Sequence, residues 1–131
     1  MPKLDAGKDN AELVILSLLE GGKMSGYAIS KEVAQRSTDR IRLSPGVLYP
    51  MLRAMEEAGL IVAEWEEIRS DRRGAAENAG VEGGSAGRRR KWYKLSPKGR
   101  RRLAQRVEAH NVWRSVIDLF IGNPREKGAQ P

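Results

Sequence analysis

The feature that most constrains the fold of this chain is a change of apolar period after Gly59. Before it, apolar residues recur at helical spacing in three segments, at about 9–20, 25–37 and 45–58. After it, residues 60–68 and 90–95 have the composition of strands, and residues 97–121 return to helical spacing. We therefore predict a mainly α chain with a small β-hairpin, an α+β fold.

Each predicted helix begins with a capping signal. Ser44 can cap the third helix with its hydroxyl, and Pro45 suits the first helical position because its missing N–H costs nothing there. Gly59 suits a left-handed stop at the end of that helix. Similar start signals are Asp9 with Glu12, Ser25, and Ser96 with Pro97.

The start of the third helix has two unusual residues. Gly46 leaves the first turn without a side chain, so another molecule could approach its backbone closely. Pro50 cannot donate to the carbonyl of Gly46 and should bend the helix. A local rule broken beside good capping signals favours a functional surface, although an awkward helix start after a loop is the alternative.

The positive charge of the chain comes from one segment. Its formal net charge is +7, and ten of its 24 lysines and arginines lie between residues 88 and 106, a segment without acids. Elsewhere 14 cations are outnumbered by 17 acids. This pattern indicates a polyanion-binding edge, with a solvated run that aids solubility as the alternative.

The composition argues against catalysis. The 131 residues fit one domain, contain no cysteine and include one histidine, so we expect no disulfide, no metal site, no cofactor and no enzyme. The acidic residues of the first strand fit a solvated strand better than a metal cluster. A signal peptide and a membrane span are not evident, so we expect a soluble cytoplasmic protein without a membrane partner.

Three helices followed by a strand, a loop, a strand and a basic flank are the order of a winged helix-turn-helix. The second helix of such a motif enters the major groove of double-stranded DNA, and here the third helix has that position. A winged-helix RNA-binding protein is one alternative, although no sheet of stacking aromatics is evident. A protein-interaction adaptor without nucleic-acid contact is another.

The last helix becomes apolar on most of its circumference in its second half. One small domain cannot cover that surface, so we predict a homodimer and a palindromic operator. Burial within the monomer is the alternative. The predicted dimerisation residues are Leu103, Val107, Trp113, Val116, Ile117, Phe120 and Ile121.

Several motifs resemble the PadR-type transcriptional regulators. They are Ser-Gly-Tyr at 25–27, Leu-Ser-Pro-Gly-Val-Leu-Tyr-Pro at 43–50, Glu-Glu-Ala-Gly-Leu-Ile at 56–61 and Gly-Arg-Arg-Arg-Lys-Trp-Tyr-Lys-Leu-Ser-Pro-Lys-Gly at 87–99. The resemblance covers roughly residues 11–121. It implies a homodimeric bacterial repressor of the short form, with a winged-helix domain, one C-terminal dimerisation helix and nucleoid association when bound to DNA.

The resemblance and the charge pattern together give the candidate sites. Tyr27 and Tyr49 match family positions near DNA, with packing between helices as their alternative. Arg53, the only cation on the third helix, is the candidate for guanine recognition, or it pairs with Glu56 or Glu57. The predicted DNA-binding residues are Ser25, Tyr27, Ser44, Pro45, Gly46, Tyr49, Arg53, Arg88, Arg89, Arg90 and Lys91.

PadR-like dimers often hold flat ligands beside a Trp of the last helix, which implies a small aromatic effector here. Trp113 is the candidate, although its spacing to Asp118 could instead align His110 with that Trp. The predicted ligand-pocket residues are His110, Trp113 and Ile117.

The domain limits follow from these elements. We predict a disordered N-terminus at 1–8, a winged-helix domain at 9–96, a dimerisation helix at 97–121 and a disordered tail at 122–131. Residues 69–87 make a longer wing loop than the family usually has. Either Arg72 and Arg73 extend the DNA contact, or the loop is a mobile tether and only residues 88–91 bind; its three acids favour the tether.

Overall fold

Four helices and four short strands make up the described part of the chain, which in a computed structural model comprises residues 7–67, 81–82 and 89–122. The predicted α+β fold is confirmed. The elements are α1 Gly7–Glu20, β1 Met24–Ser25, α2 Gly26–Arg36, α3 Pro45–Glu57, β2 Ile61–Glu67, β3 Val81–Glu82, β4 Arg89–Leu95 and α4 Pro97–Ile121.

The sheet is antiparallel and has β4 at its centre. β2 pairs along the whole of β4, from Ile61 opposite Leu95 to Glu67 opposite Arg89. β1 and β3 pair with β4 through two residues each. Both short strands were missed, and β3 lies within 69–87, where we predicted an irregular loop. Two residues carry no alternation, so such strands give no sequence period.

The core lies between the helices and one face of the sheet. The helical spacing of apolar residues at 45–58 is confirmed as the core face of α3, since Leu48, Leu52 and Met55 are buried and Met51 is partly buried against them. The fully buried side chains are Ile15, Leu16, Ile29, Leu48, Leu52, Leu60 and Ile61.

The capping predictions had mixed outcomes. The hydroxyl of Ser25 accepts the N–H of Ala28 at 3.1 Å, so the predicted cap of α2 is confirmed. The hydroxyl of Ser44 makes no capping bond, and the N–H groups of Val47 and Leu48 donate to the Ser44 carbonyl at 3.0 and 2.8 Å.

The predicted start of α1 was also wrong. The helix begins at Gly7, with φ +68°, so Asp9 lies inside its first turn and residues 7 and 8 do not belong to a loose end. The remaining residues of the predicted N-terminus and nearly all of the predicted tail lie outside the described residues.

One junction joins the end of α3, the sheet and the start of α4. Gly59, at φ +77°, ends α3, and the N–H of Leu60 returns to the carbonyl of Met55 at 3.0 Å. The Ser96 hydroxyl donates to the Gly59 carbonyl at 2.6 Å and accepts the N–H of Gly99 at 2.9 Å. The predicted Ser96 cap is therefore confirmed, and we call residues 58–60 and 96–99 the helix junction.

Gly99 is sterically required at the helix junction. A Cβ atom at this position would lie 1.9 Å from the carbonyl oxygen of Leu60, and backbone cannot give way as a flexible side chain can.

Within the described residues, no helix is both long and apolar enough to cross a membrane.

We predict that Gly99→Ala lowers the free energy of unfolding by at least about 2 kcal/mol, because α4 must move away from Leu60. Denaturant unfolding followed by circular dichroism measures this change.

Gly46→Ala is the matched control, since Gly46 also lies in the first turn of a helix but a Cβ there meets nothing within 4 Å. Alanine should leave the stability unchanged or raise it by up to about 1 kcal/mol. Equal losses for the two variants would contradict the steric argument.

Candidate nucleic-acid interface

The start of α3 is an exposed surface. Ser44, Pro45 and Gly46 are exposed, and Val47 is 49% exposed. No neighbouring atom lies within 4 Å of a Cβ built on Gly46, so this turn can approach another molecule closely. The first turn also carries the positive end of the helix dipole, which attracts anions.

The predicted contacts on either side of this turn differ in exposure. Tyr27 is 46% exposed and lines a shallow depression with Ser44 and Pro45. Tyr49 is partly buried, and its ring lies so close to Gly26 that a Cβ there would be 2.8 Å from Cε1. Ser25 is 7% exposed and its hydroxyl caps α2, so this residue supports the interface from below.

Two cations beside α3 were missed. Lys31 and Arg42 line the same depression as Tyr27, and Arg42 Nη2 lies 3.2 Å from Asp39 Oδ1. For Arg42 the signal was present, because this cation comes two residues before Ser44, whereas Lys31 lies on α2 and reaches the depression only through the fold.

The turn that presents Arg42 has an unusual backbone. Thr38 and Asp39 are at φ +51° and +62°, and positive φ is rare for a β-branched residue such as threonine. The Ser37 hydroxyl accepts the N–H of Ile41 at 3.0 Å and holds this turn. Such strain tends to occur where a backbone path is needed for function.

Arg53 projects into solvent from α3. No ion pair of Arg53 occurs among the described residues, so the alternative pairing with Glu56 or Glu57 is not observed. Glu56 Oε1 instead lies 3.5 Å from Lys91 Nζ of β4. This contact joins α3 directly to the sheet.

The cations of β4 divide between the two faces of the sheet. Arg89 and Lys91 lie on the face toward α3, with Arg89 Cζ 4.5 Å and Lys91 Nζ 5.3 Å from the ring centroid of Trp65. The Lys91 side chain is 22% exposed and that of Arg89 is exposed. Arg88 and the wing arginines at 72 and 73 lie outside the described residues.

The other face of the sheet carries mixed charges. Arg90 lies over the Trp92 ring at 5.6 Å, and Trp92 Nε1 donates to Glu66 Oε2 at 2.6 Å. Glu64 lies 2.6 Å from Lys94 Nζ and 3.7 Å from Lys23 Nζ. The face toward α3 is mixed as well, because Glu56 pairs with Lys91 and Glu67 lies opposite Arg89.

The predicted ligand residues are only partly brought together. His110 and Trp113 line a cleft of about 350 Å³ between α1 and α4, whereas Ile117 does not line it. The wall of this cleft includes Arg106, whose Nη2 donates to the carbonyl of Asp9 at 2.5 Å.

The second half of α4 is apolar and exposed. Phe120 is 85% exposed, Trp113 65% and Ile121 60%, and Val107, Val116 and Ile117 are also exposed. Leu103 is 4% exposed and packs in the core of its own chain, so its assignment to the dimer surface is corrected. The neighbouring Val112 and Leu119 are exposed too.

Comparisons with known proteins agree with this architecture. Residues 15–77 match the model of the transcriptional regulator PadR-like family. A PadR family transcription regulator from Clostridium difficile is 29% identical, with TM-score 0.63 over 85% of this chain and 97% of that one. A transcriptional regulator from Clostridium thermocellum has the same fold at 24% identity, with TM-score 0.69 over 90% and 99% of the chains.

A protein of Lysinibacillus sphaericus is 23% identical over 121 residues, which are 92% of this chain and 96% of that protein.

The helix order and the wing define the class as a winged helix-turn-helix protein. The family match narrows the comparison further: the chain is similar to the PadR-like family of DNA-binding transcriptional regulators, whose members are not enzymes.

The sheet face that carries Glu64 and Lys94 leads to a prediction about the pKa of Glu64. The Lys94 ammonium, through its hydrogen bond and its charge, holds the pKa of Glu64 below its ordinary value, and Lys23 adds a smaller effect. We predict that Lys94→Met raises the Glu64 pKa more than Lys23→Met does, as measured by carboxyl NMR titration.

The sign of the linked stability follows from this lowered pKa. A carboxyl group with a lower pKa in the folded state stabilises the fold above its unfolded-state pKa, and the effect is lost as pH falls through the folded pKa. As pH falls through the Glu64 pKa, the free energy of unfolding of the Lys94→Met variant should therefore decrease less than that of the wild-type protein. An unchanged Glu64 titration in that variant would contradict the assignment.

Proposed function

We propose that this chain is a homodimeric repressor that binds a palindromic operator on the bacterial nucleoid, in the cytoplasm, and is released by a small flat aromatic ligand. The observation that carries the DNA-binding part is the exposed start of α3, with Tyr27, Lys31 and Arg42 on one side and Arg89 of the wing on the sheet face toward α3. This arrangement supports a groove contact flanked by phosphate contacts.

The first turns of α3 would enter the major groove. The hydroxyl of Ser44 is free of a capping bond and can donate to a phosphate, as can the hydroxyl of Tyr27. Gly46 permits close approach, and Arg53, about two turns further along the helix, can reach a guanine edge. Tyr49 supports this surface by packing over Gly26.

The wing contact rests on Arg89. A guanidinium stacked on an indole keeps its N–H edges available for phosphate oxygens, so Trp65 would hold Arg89 ready to bind. Lys91 forms an ion pair with Glu56, so it links the wing to α3 and is less available than Arg89 for a phosphate contact. Arg90 lies on the other face, and Arg88 remains a proposed contact.

The dimer is supported by the apolar second half of α4. Large apolar side chains at several positions around one helix are rare on a monomer surface of this size. Two copies joined through α4 by a two-fold axis would place two α3 helices on successive major grooves, about 34 Å apart.

The DNA-binding part is tested by titrating labelled duplexes at several salt concentrations. We expect the logarithm of the association constant to fall linearly with the logarithm of salt, by about 0.9 per phosphate contact. Arg89→Ala should make this slope shallower by about 0.9. Duplex RNA of matching sequence should bind more weakly, whereas equal RNA binding would favour an RNA-binding protein and salt-independent binding an adaptor.

Arg53→Ala tests base recognition in the same assay. We predict that this variant loses more affinity for a selected operator than for a random duplex, by about tenfold or more, because a lost guanine contact affects only the specific sequence. Equal losses on both duplexes would rule out Arg53 as a base contact.

The dimer is tested by Phe120→Glu, since a carboxylate on this 85% exposed side chain leaves the monomer core untouched. We predict a monomer in sedimentation and an operator affinity reduced to that of a half-site. Val62→Glu is the control, because Val62 is 43% exposed on β2 and should leave the dimer intact. A Phe120→Glu protein that stays dimeric would contradict this interface.

The effector is supported by the cleft that holds His110 and Trp113, since an exposed indole can stack on a flat ring. Ile117 would join it only through the dimer. Titration of flat aromatic compounds, with Trp emission as the signal, tests this part of the proposal, and unchanged emission would contradict it.

A further inference from the structure

The exposed side of α3 is apolar where it begins. Within residues 45–50, the exposed positions are Pro45, Gly46, Val47 and Pro50, none of which has a side chain that can form a hydrogen bond. The exposed charged residues of this helix, Arg53 and Glu57, come later. The exposed side chains of this part of α3 therefore offer only van der Waals contact, and its hydrogen-bond donors are backbone N–H groups.

Val47 is the largest of these side chains to lie open. It is 49% exposed, whereas its neighbour Leu48 is 1% exposed and belongs to the core. In the protein without a bound partner, about half of the apolar surface of Val47 is therefore in contact with water. Burying its methyl groups against a partner would recover about 0.8 kcal/mol per methyl-sized group.

The major groove presents one apolar group to such a side chain. Each base pair has hydrogen-bond donors and acceptors at its edge, but only thymine adds a methyl group, at C5. We propose that Val47 is a specificity-determining residue that contacts a thymine methyl group, so each operator half-site carries a thymine opposite the first turn of α3. This inference rests on the proposed DNA contact of α3.

Charge favours DNA over a protein partner for this face. Lys31 and Arg42 lie beside the start of α3 together with one acid, Asp39, and Arg89 lies on the wing face toward the same helix. Cations around an apolar centre complement a duplex, whose phosphates flank the groove floor. The bare backbone at Gly46 lets the neighbouring Val47 come near the base edges.

The test removes single methyl groups from the DNA. An operator is first selected from a random duplex pool with the wild-type protein. Each thymine of that operator is then replaced by uracil, which deletes only the C5 methyl. For wild type we expect a loss of about three- to fivefold at one symmetric position of the half-site.

Val47→Ala supplies the other arm of the cycle. In this variant, uracil at the same position should cost less than about half as much in logarithmic affinity, because the contacting methyl groups are gone. Val62→Ala is the matched control, since Val62 is 43% exposed on the sheet, and this variant should respond to uracil as wild type does. Thermal unfolding confirms that both variants are folded.

Three results would overturn the inference. The first is an equal uracil effect in wild type and Val47→Ala, and the second is no effect of uracil at any position. In both, selective and salt-dependent duplex binding would leave the proposed function standing. The third is a wild-type protein that binds no duplex at all, which overturns the proposed function as well.

Discussion

The contact on which the rest of the structure depends is the backbone approach of α4 to Leu60 at the helix junction. Gly99 leaves no room for a Cβ, and Ser96 bonds both to Gly59 and to the first turn of its own helix. Lys98 adds a bond from its ammonium to the carbonyl of Ala58 at 2.8 Å. The end of α3, the start of the wing and the start of α4 are therefore fixed against one another with little side-chain freedom between them.

A second link joins α3 to the wing away from the helix junction. Glu56 holds Lys91, and Trp65 lies near the cations of both Lys91 and Arg89. Each exposed ion pair or cation–π contact contributes only about 0.5–1 kcal/mol, so their role is to favour one wing position rather than to hold the fold. The hydrophobic core beneath α3 and β2 supplies the stability, and these polar contacts orient what projects from it.

The sequence predicted elements with a period or a strong stop signal. The stripe of α3, the left-handed Gly59 and the Ser96 cap were all predictable from local chemistry. The two-residue strands were not, because their only support is pairing with β4, which is distant in sequence. The missing cap at Ser44 was not predictable either, because the residue type and its position before Pro45 are those of a capping serine. The candidate site was recognisable from motifs, but the exposure of its residues depends on tertiary packing.

Cations that are neighbours in sequence between residues 88 and 106 do not form one positively charged surface in the fold. A strand sends successive side chains to opposite faces, so Arg89 and Arg90 cannot share one surface. The following helix turns its cations further apart, and Arg106 is held by Asp9 of α1. Lys31 and Arg42, which are separated in sequence, meet in one depression beside α3. In the DNA contact proposed above, affinity for a phosphate backbone would therefore come from cations of several elements gathered around α3, and the run would contribute only those members that face the same way.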